Sequence, residues 1–367
     1  KIITTGTNNE ILHIFAAATT DEGTAHLYLR SSDLQNWEYS WAPCSLHNLH
    51  IGVYDSDDYA VAVNGDVIAV VYNNWQKAHT MLYKSSDNGY SWDSKIVWEN
   101  PIHLLDWETD ENTLFEKFSA PTHVSVALDK YGDAHVALSV GMFDHVELST
   151  SYSMYYGLQA DGVAYWYEGY GMPLQSPDGN PWNALKLWWE VEENPEYINL
   201  NPQNFCAWMP PHKEEGFNGF DLSKQYYGRS GQLDYLSSFG ASAYPSIAVD
   251  PAGNIAVAYS APDLNRDLWY DSQTGNEYYY RSLFVNYKPA DITDWAYMTI
   301  LGQSLYEDFI HTIEECTYVT AVSNPVNENE FWFSCLSDDT PGFHYGNITS
   351  QDYVTTSIVD VFKFCPD

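Results

Sequence analysis

Two stretches decide how the rest of the chain is read: Ser125 to Val140, SVALDKYGDAHVALSV, and Ser246 to Ala261, SIAVDPAGNIAVAYSA. Each is an apolar run, a turn, and a second run of small and β-branched residues, and each holds Asp and Gly three residues apart, Asp129 with Gly132 and Asp250 with Gly253. That pattern is a β-hairpin repeated within one chain. Looser copies start at Ile2 (IITTGTNNEILHIFAA), Ala60 (AVAVNGDVIAVVYN) and Tyr318 (YVTAVSNPVNENEFWFSC), giving five. Their strands are apolar at nearly every position, as expected when both faces are covered. Small residues such as Ala62, Ala127, Ala137, Ala248 and Ala258 suit strands crowded around an axis.

Outer hairpins follow the inner ones. Ser85-Ser86-Asp87-Asn88-Gly89-Tyr90-Ser91-Trp92 fits the Asp-box pattern S-x-D-x-G-x-[ST]-W: Asp87 accepts from turn amides, Gly89 supplies an unusual backbone angle, and Trp92 folds back as a plug. Ser31 to Trp37, with Asp33, is a shorter relative. Asp291 to Trp295 is another, and Gln159-Ala160-Asp161-Gly162 is expected to turn the third unit. The chain is therefore expected to be all-β, a single propeller of four-stranded antiparallel blades over residues 1–367. Five units are visible. The interval from Gly132 to Gly253 is about twice the others, so residues 172–240 are an insertion or a degenerate blade. The chain opens at Lys1 in a strand pattern without a leader, as a processed product or fragment does.

In this order the segments GTNNEILHIFAA, SSDLQNW, SSDNGYSW, SVALDKYGDAHVALSVG, LQADGVAYWYEG, YPSIAVDPAGNIAVAYSA and FIHTIEECTYV resemble a family of Bacteroidetes extracellular propellers with Asp-box (BNR-like) repeats. Its members are exported by the type IX secretion system. The resemblance implies six or seven blades in a complete chain, further blade sequence upstream, an extracellular or cell-surface location, and secretion or surface-assembly partners. It implies no particular activity.

The 367 residues carry a formal charge of −35, with 50 acidic against 15 basic side chains. Such a surface repels phosphate backbones, which excludes nucleic acid as a partner. No run of about 18 apolar residues is present, so no transmembrane helix is expected. The four arginines, Arg30, Arg229, Arg266 and Arg281, do not supply the arginine cluster a sialidase needs.

Glycosidases on a propeller need paired axial carboxylates. Asp129 and Asp250 are explained by their turns; Glu314 and Glu315, ahead of an inner strand, rank first. His47 and His50 lack a third zinc ligand. Asp55-Ser56-Asp57-Asp58 offers oxygens for calcium, the one cofactor considered, but lacks the EF-hand glycine and distal Glu and reads first as a solvated loop. Asn347-Ile348-Thr349 is a glycosylation sequon. Cys316 and Cys335 are expected to face each other across a hairpin as a disulfide. Trp182, Trp188, Trp189, Trp208, Tyr226 and Tyr227 are candidates to contact a ligand from the aromatic segment, the alternative for Trp188 and Trp189 being a plug at the top or side of the propeller. The leading expectation is a secreted, non-catalytic propeller that binds glycan or extracellular protein. The alternatives are a glycoside hydrolase or lyase with axial carboxylates and a structural subunit of an extracellular assembly.

Overall fold

A computed structural model of the chain describes residues 1–20, 23–41, 59–74, 79–99, 117–148, 151–174, 205–208, 243–262, 269–270, 277–278, 281–292, 295, 297–300, 315–323, 325–338 and 358–366. The architecture is an all-β propeller. The first sheet holds β1 (Ile2–Thr5), β2 (Ile11–Thr20), β3 (Gly23–Ser31) and β4 (Glu38–Trp41), in that order. The second holds β5 (Tyr59–Asn64), β6 (Val67–Asn74), β7 (His79–Ser85) and β8 (Asp93–Glu99). The third runs from β9 (Lys117–Leu128) through β10 (Ala134–Leu148) and β11 (Ser151–Tyr167) to β12 (Phe205–Trp208). The fourth pairs β13 (Ala243–Val249) and β14 (Ile255–Pro262) with β17 (Arg281–Lys288) and β18 (Tyr297–Ile300), while β15 (Trp269–Tyr270) and β16 (Glu277–Tyr278) form a separate ribbon. The fifth is β19 (Glu315–Ala321), β20 (Phe331–Asp338) and β21 (Ile358–Phe364). Among the described residues the pairings between these strands are antiparallel, and an isolated parallel bridge joins Trp98 to Leu174.

The apolar-at-every-position pattern has its cause in the seams between sheets. Four clusters of buried side chains fill the four seams from the first sheet to the fifth: Phe15 with Ile68 and Val70, Val71 and Leu82 with Val126 and Trp166, Tyr165 with Ile247 and Tyr259, and Val285 with Phe331 and Phe333. Strand β13 is buried along its whole length because sheets cover it on both sides. The outer turns lock these seams. Trp92 packs edge-on to Tyr28 at 5.4 Å and Phe15 at 6.4 Å in the preceding sheet, and Trp295 meets Tyr165 of its preceding sheet edge-on at 5.3 Å. Trp37 is 39% exposed and fills no such gap.

The turn from Ser85 to Trp92 has the expected bonds. Asp87 accepts from the Ser91 amide at 2.9 Å and the Ser85 hydroxyl at 2.8 Å, and the Trp92 indole donates to Gly89 O at 3.2 Å. Asp33 accepts likewise from the amides of Gln35 and Asn36. Beneath the first of these turns lies a buried chain in which His13 joins Thr5 Oγ1 (2.7 Å) to the Tyr28 hydroxyl (2.8 Å).

Burial first, then the nearby Arg30 charge, lowers the His13 pKa from 6.5 to about 4. A lowered imidazole pKa means the native state resists protonation. Its contribution is therefore complete above pH 6.5 and is lost as the pH falls toward 4, by about 2–3 kcal/mol. Glu168, 7% exposed, adds to this below about pH 4.5: burial pushes its pKa up, but Lys84 and Lys95, each donating at 2.6 Å across the second seam, hold it below the ordinary value. Denaturant unfolding at pH 7 and pH 5 should show the loss, and His13→Gln should flatten it.

Two expectations are corrected. Residues Gln159 to Gly162 do not turn the chain: β11 continues through them, with Gly141 opposite Asp161 and Met142 opposite Gly157, so the extra residues are absorbed as a bulge. Nor are Cys316 and Cys335 bridged; both are buried thiols. Cys316 lies opposite Ser337, while Cys335 falls opposite the bulge between Thr317 and Thr320, so the cysteines are diagonal neighbours about 7–8 Å apart, beyond disulfide reach. Denaturing alkylation without reductant should label both.

Candidate functional site

The turn residues Asn64 and Asp129 of neighbouring sheets are bonded at 2.7 Å, as are Asp250 and the Asn329 amide at 2.7 Å. The inner hairpin turns therefore gather at one end of the axis, and the starts of the inner strands at the other. Asp129 and Asp250 belong to the turn end. Asp129 accepts from the amides of Tyr131 and Asp133, and Asp250, 1% exposed, from those of Asn254 and Asn329. Both carboxylates are committed to backbone, as expected from the sequence.

Between the inner strands lies a cavity of about 240 Å³, lined by β5, β9, β13 and β19. Its strands are tied to one another by a repeated device. The Ile247 amide donates to Ser125 Oγ at 3.1 Å, and the Ala321 amide donates to Ser246 Oγ at 2.8 Å. A hydroxyl that accepts still has its own proton to give, and both serines face the cavity.

Two residues before each of these positions sits a ring: His123 before Ser125, Tyr244 before Ser246 and, in the next strand, Tyr318 before Thr320. The rings pack in succession, His123 to Tyr244 and Tyr244 to Tyr318, each at 4.5 Å between centroids and tilted by 43° and 40°. All three strands have a register shift at this level. Tyr244 and Tyr318 adopt φ of 53° and 51°, rare for a bulky side chain. Bulges of this kind re-aim side chains beside functional sites. The sequence reading missed the row, although aligning the two best hairpin copies places His123 and Tyr244 in equivalent positions.

At the strand-start end, Glu315 opens β19 and pairs directly with Asp338, the last residue of β20. Like charges at directly opposed positions are destabilising. Glu315 lies three residues ahead of Tyr318, roughly 10 Å along the strand. Glu314, His47, His50, Asp55 to Asp58, the sequon at Asn347, and Trp182, Trp188, Trp189, Tyr226 and Tyr227 lie outside the described residues. Trp208 ends β12, the outermost strand of the third sheet, away from the axis. Among the described residues no cluster of three or more His, Cys, Asp or Glu is placed to hold a metal, and no helix is long and apolar enough to cross a membrane.

No protein-family model matches the chain, and no curated protein matches it. Solved structures do. An α-L-arabinofuranosidase from Podospora anserina is 10% identical, with 99% of this chain and 88% of that one covered at a TM-score of 0.35. The catalytic domain of an α-L-arabinofuranosidase from Coprinopsis cinerea is 8% identical, with 99% and 89% covered at 0.36. An endo-arabinase from Bacteroides thetaiotaomicron is 8% identical, with 98% and 92% covered at 0.36. The likeness is one of fold. The expectation of a non-catalytic binding propeller is corrected by these comparisons: the solved structures similar to this chain are glycosidases.

Proposed function

We propose that the chain is a glycoside hydrolase acting at the strand-start end of the propeller axis, with Glu315 and Asp338 as its pair of acids. The observation that carries this reading is their register: two carboxylate residues directly opposite each other where the inner strand β19 begins. Glycosidic cleavage needs such a pair, one carboxyl protonating the departing oxygen while the other attacks the anomeric carbon or activates water. A fold that places like charges in direct opposition accepts a loss of stability, and chemistry at that point is the reason we assign. We place the protein outside the cell, where glycan polymers are available and a charge of −35 favours solubility; export by type IX secretion belongs to the same reading.

A panel of aryl glycosides and aryl oligosaccharides tests the activity. Release of the chromophore from at least one member, with a pH dependence set by two carboxyl groups, is the expected result. No release from any member, by a protein whose fold is confirmed by circular dichroism, would sink it.

A further inference from the structure

The axial cavity has a polarity opposite to that of the chain as a whole. We infer that it holds one small monovalent anion, a halide such as chloride, between the hydroxyls of Ser125 and Ser246. The site is separate from the proposed acid pair, because Glu315 lies five residues before Thr320, about 16 Å along β19.

Ser125 and Ser246 open the two clearest copies of the inner hairpin. Each accepts from an amide of the next inner strand, Ile247 at 3.1 Å and Ala321 at 2.8 Å. Ile247 follows Ser246 and Ala321 follows Thr320, so Ser125, Ser246 and Thr320 hold equivalent places in β9, β13 and β19. All three line the cavity, and Ser246 is only 8% exposed. Among the described residues neither serine hydroxyl has an acceptor for its own proton. That proton is left for whatever occupies the cavity. An N–H that donates into a hydroxyl oxygen polarises the O–H and makes it a stronger donor. Two such chains, each running from amide to hydroxyl to cavity, bring their positive ends to one space.

The charged groups select the occupant. Among the described residues that line the cavity none is a carboxylate, in a chain with 50 acidic side chains. The basic ones are Lys1 and His123. The side-chain ammonium of Lys1, held by the Tyr59 carbonyl, supplies one positive charge, which matches a monovalent ion. A sulfate or phosphate calls for further cations or a guanidinium fork. Of the described arginines, Arg30 is engaged by Asn88 and Glu38 and Arg281 by Ser260, and neither lines the cavity. Calcium takes about six to eight oxygens, carboxylates among them, and would meet two O–H protons head-on. At about 240 Å³ the space is also below the ~300 Å³ at which sites for drug-sized ligands begin. The charge of −35 repels anions at long range, but salt screens it beyond about 8–10 Å. An anion seated here accepts from β9 and β13 together and so clamps the third sheet to the fourth at the axis.

Bromide and chloride are the probes. In crystals soaked in sodium bromide, an anomalous difference map should show a peak in the axial cavity within hydrogen-bond distance of Ser125 Oγ and Ser246 Oγ. In solution the protein should broaden the NMR line of dilute chloride, and added bromide should reverse the broadening. Ser246→Ala should weaken halide binding by about tenfold or more, the usual worth of a hydrogen bond to a charged group. Ser125→Thr keeps the hydroxyl and should bind nearly as well. Should Ser246→Ala fail to fold because the Ala321 amide loses its acceptor, Ser125→Ala and the bromide map of the unsubstituted protein decide. No bromide peak in the cavity, a peak there from rubidium instead, or undiminished broadening by the folded alanine variants would overturn the inference. No glycoside enters these experiments, so their failure leaves the hydrolase reading untouched, and the failure of that reading leaves the anion site standing.

Discussion

Replacing Gly89 by Ala should destabilise the protein by about 2–5 kcal/mol, combining the cost of a side chain in the left-handed region with that of overpacking. Gly89 has φ 81°, and a Cβ there would collide with the Tyr28 hydroxyl and lie 3.2 Å from His13 Cε1. Neither neighbour can yield easily, since the hydroxyl is bonded to His13 and His13 to Thr5. The Gly89 amide is itself held by Ser85 Oγ at 2.8 Å, so the turn cannot retreat. Two controls separate the contributions. Gly65→Ala, also at positive φ (59°) but with nothing within 4 Å, should cost only about 1–2 kcal/mol. Adding Tyr28→Phe to Gly89→Ala should recover part of the loss, because it removes the colliding oxygen. Equal effects at Gly65 and Gly89 in urea unfolding would show that the seam between the first two sheets is not locked as described.

Neutralising either member of the acid pair should separate activity from stability. Glu315→Gln and Asp338→Asn should each lower kcat by about 10²–10⁴, the usual contribution of a positioned acid or base. The same substitutions remove a like-charge opposition, so the melting temperature should stay level or rise slightly. This opposite movement is the signature of residues retained for chemistry. Acids retained for structure would lose stability when neutralised and leave the activity of the folded fraction unchanged. The comparison needs circular dichroism and kcat on the same preparations.

Much of the fold was legible because repetition is a sequence property. The Asp–Gly spacing at Asp129 and Asp250 marked the inner turns, and the small and β-branched residues between them marked strands covered on both faces. The plug role of Trp92 followed from its motif, and Trp295 repeats it with only a weak motif around it. What could not be read was register. The pairing of β19 with β20 sets Cys316 opposite Ser337 and Glu315 opposite Asp338, two residues away from a register that would face Cys316 with Cys335. A hairpin placed only approximately suggested a disulfide and left the pairing of Glu315 with Asp338 unread. Likewise, Gln159 to Gly162 has turn-like composition, but pairing with β10 before and after the bulge keeps it in the strand. The ring row at His123, Tyr244 and Tyr318 was hidden for another reason: its parts lie far apart in sequence and meet only because successive inner strands bulge at the same level.

The most direct test of the account is to incubate the protein, Glu315→Gln and Asp338→Asn with neutral polysaccharides and follow released oligosaccharides by mass spectrometry. The account predicts product from the unsubstituted protein and almost none from either variant, all three being equally folded. Equal release by all three proteins, or none from any, would contradict it.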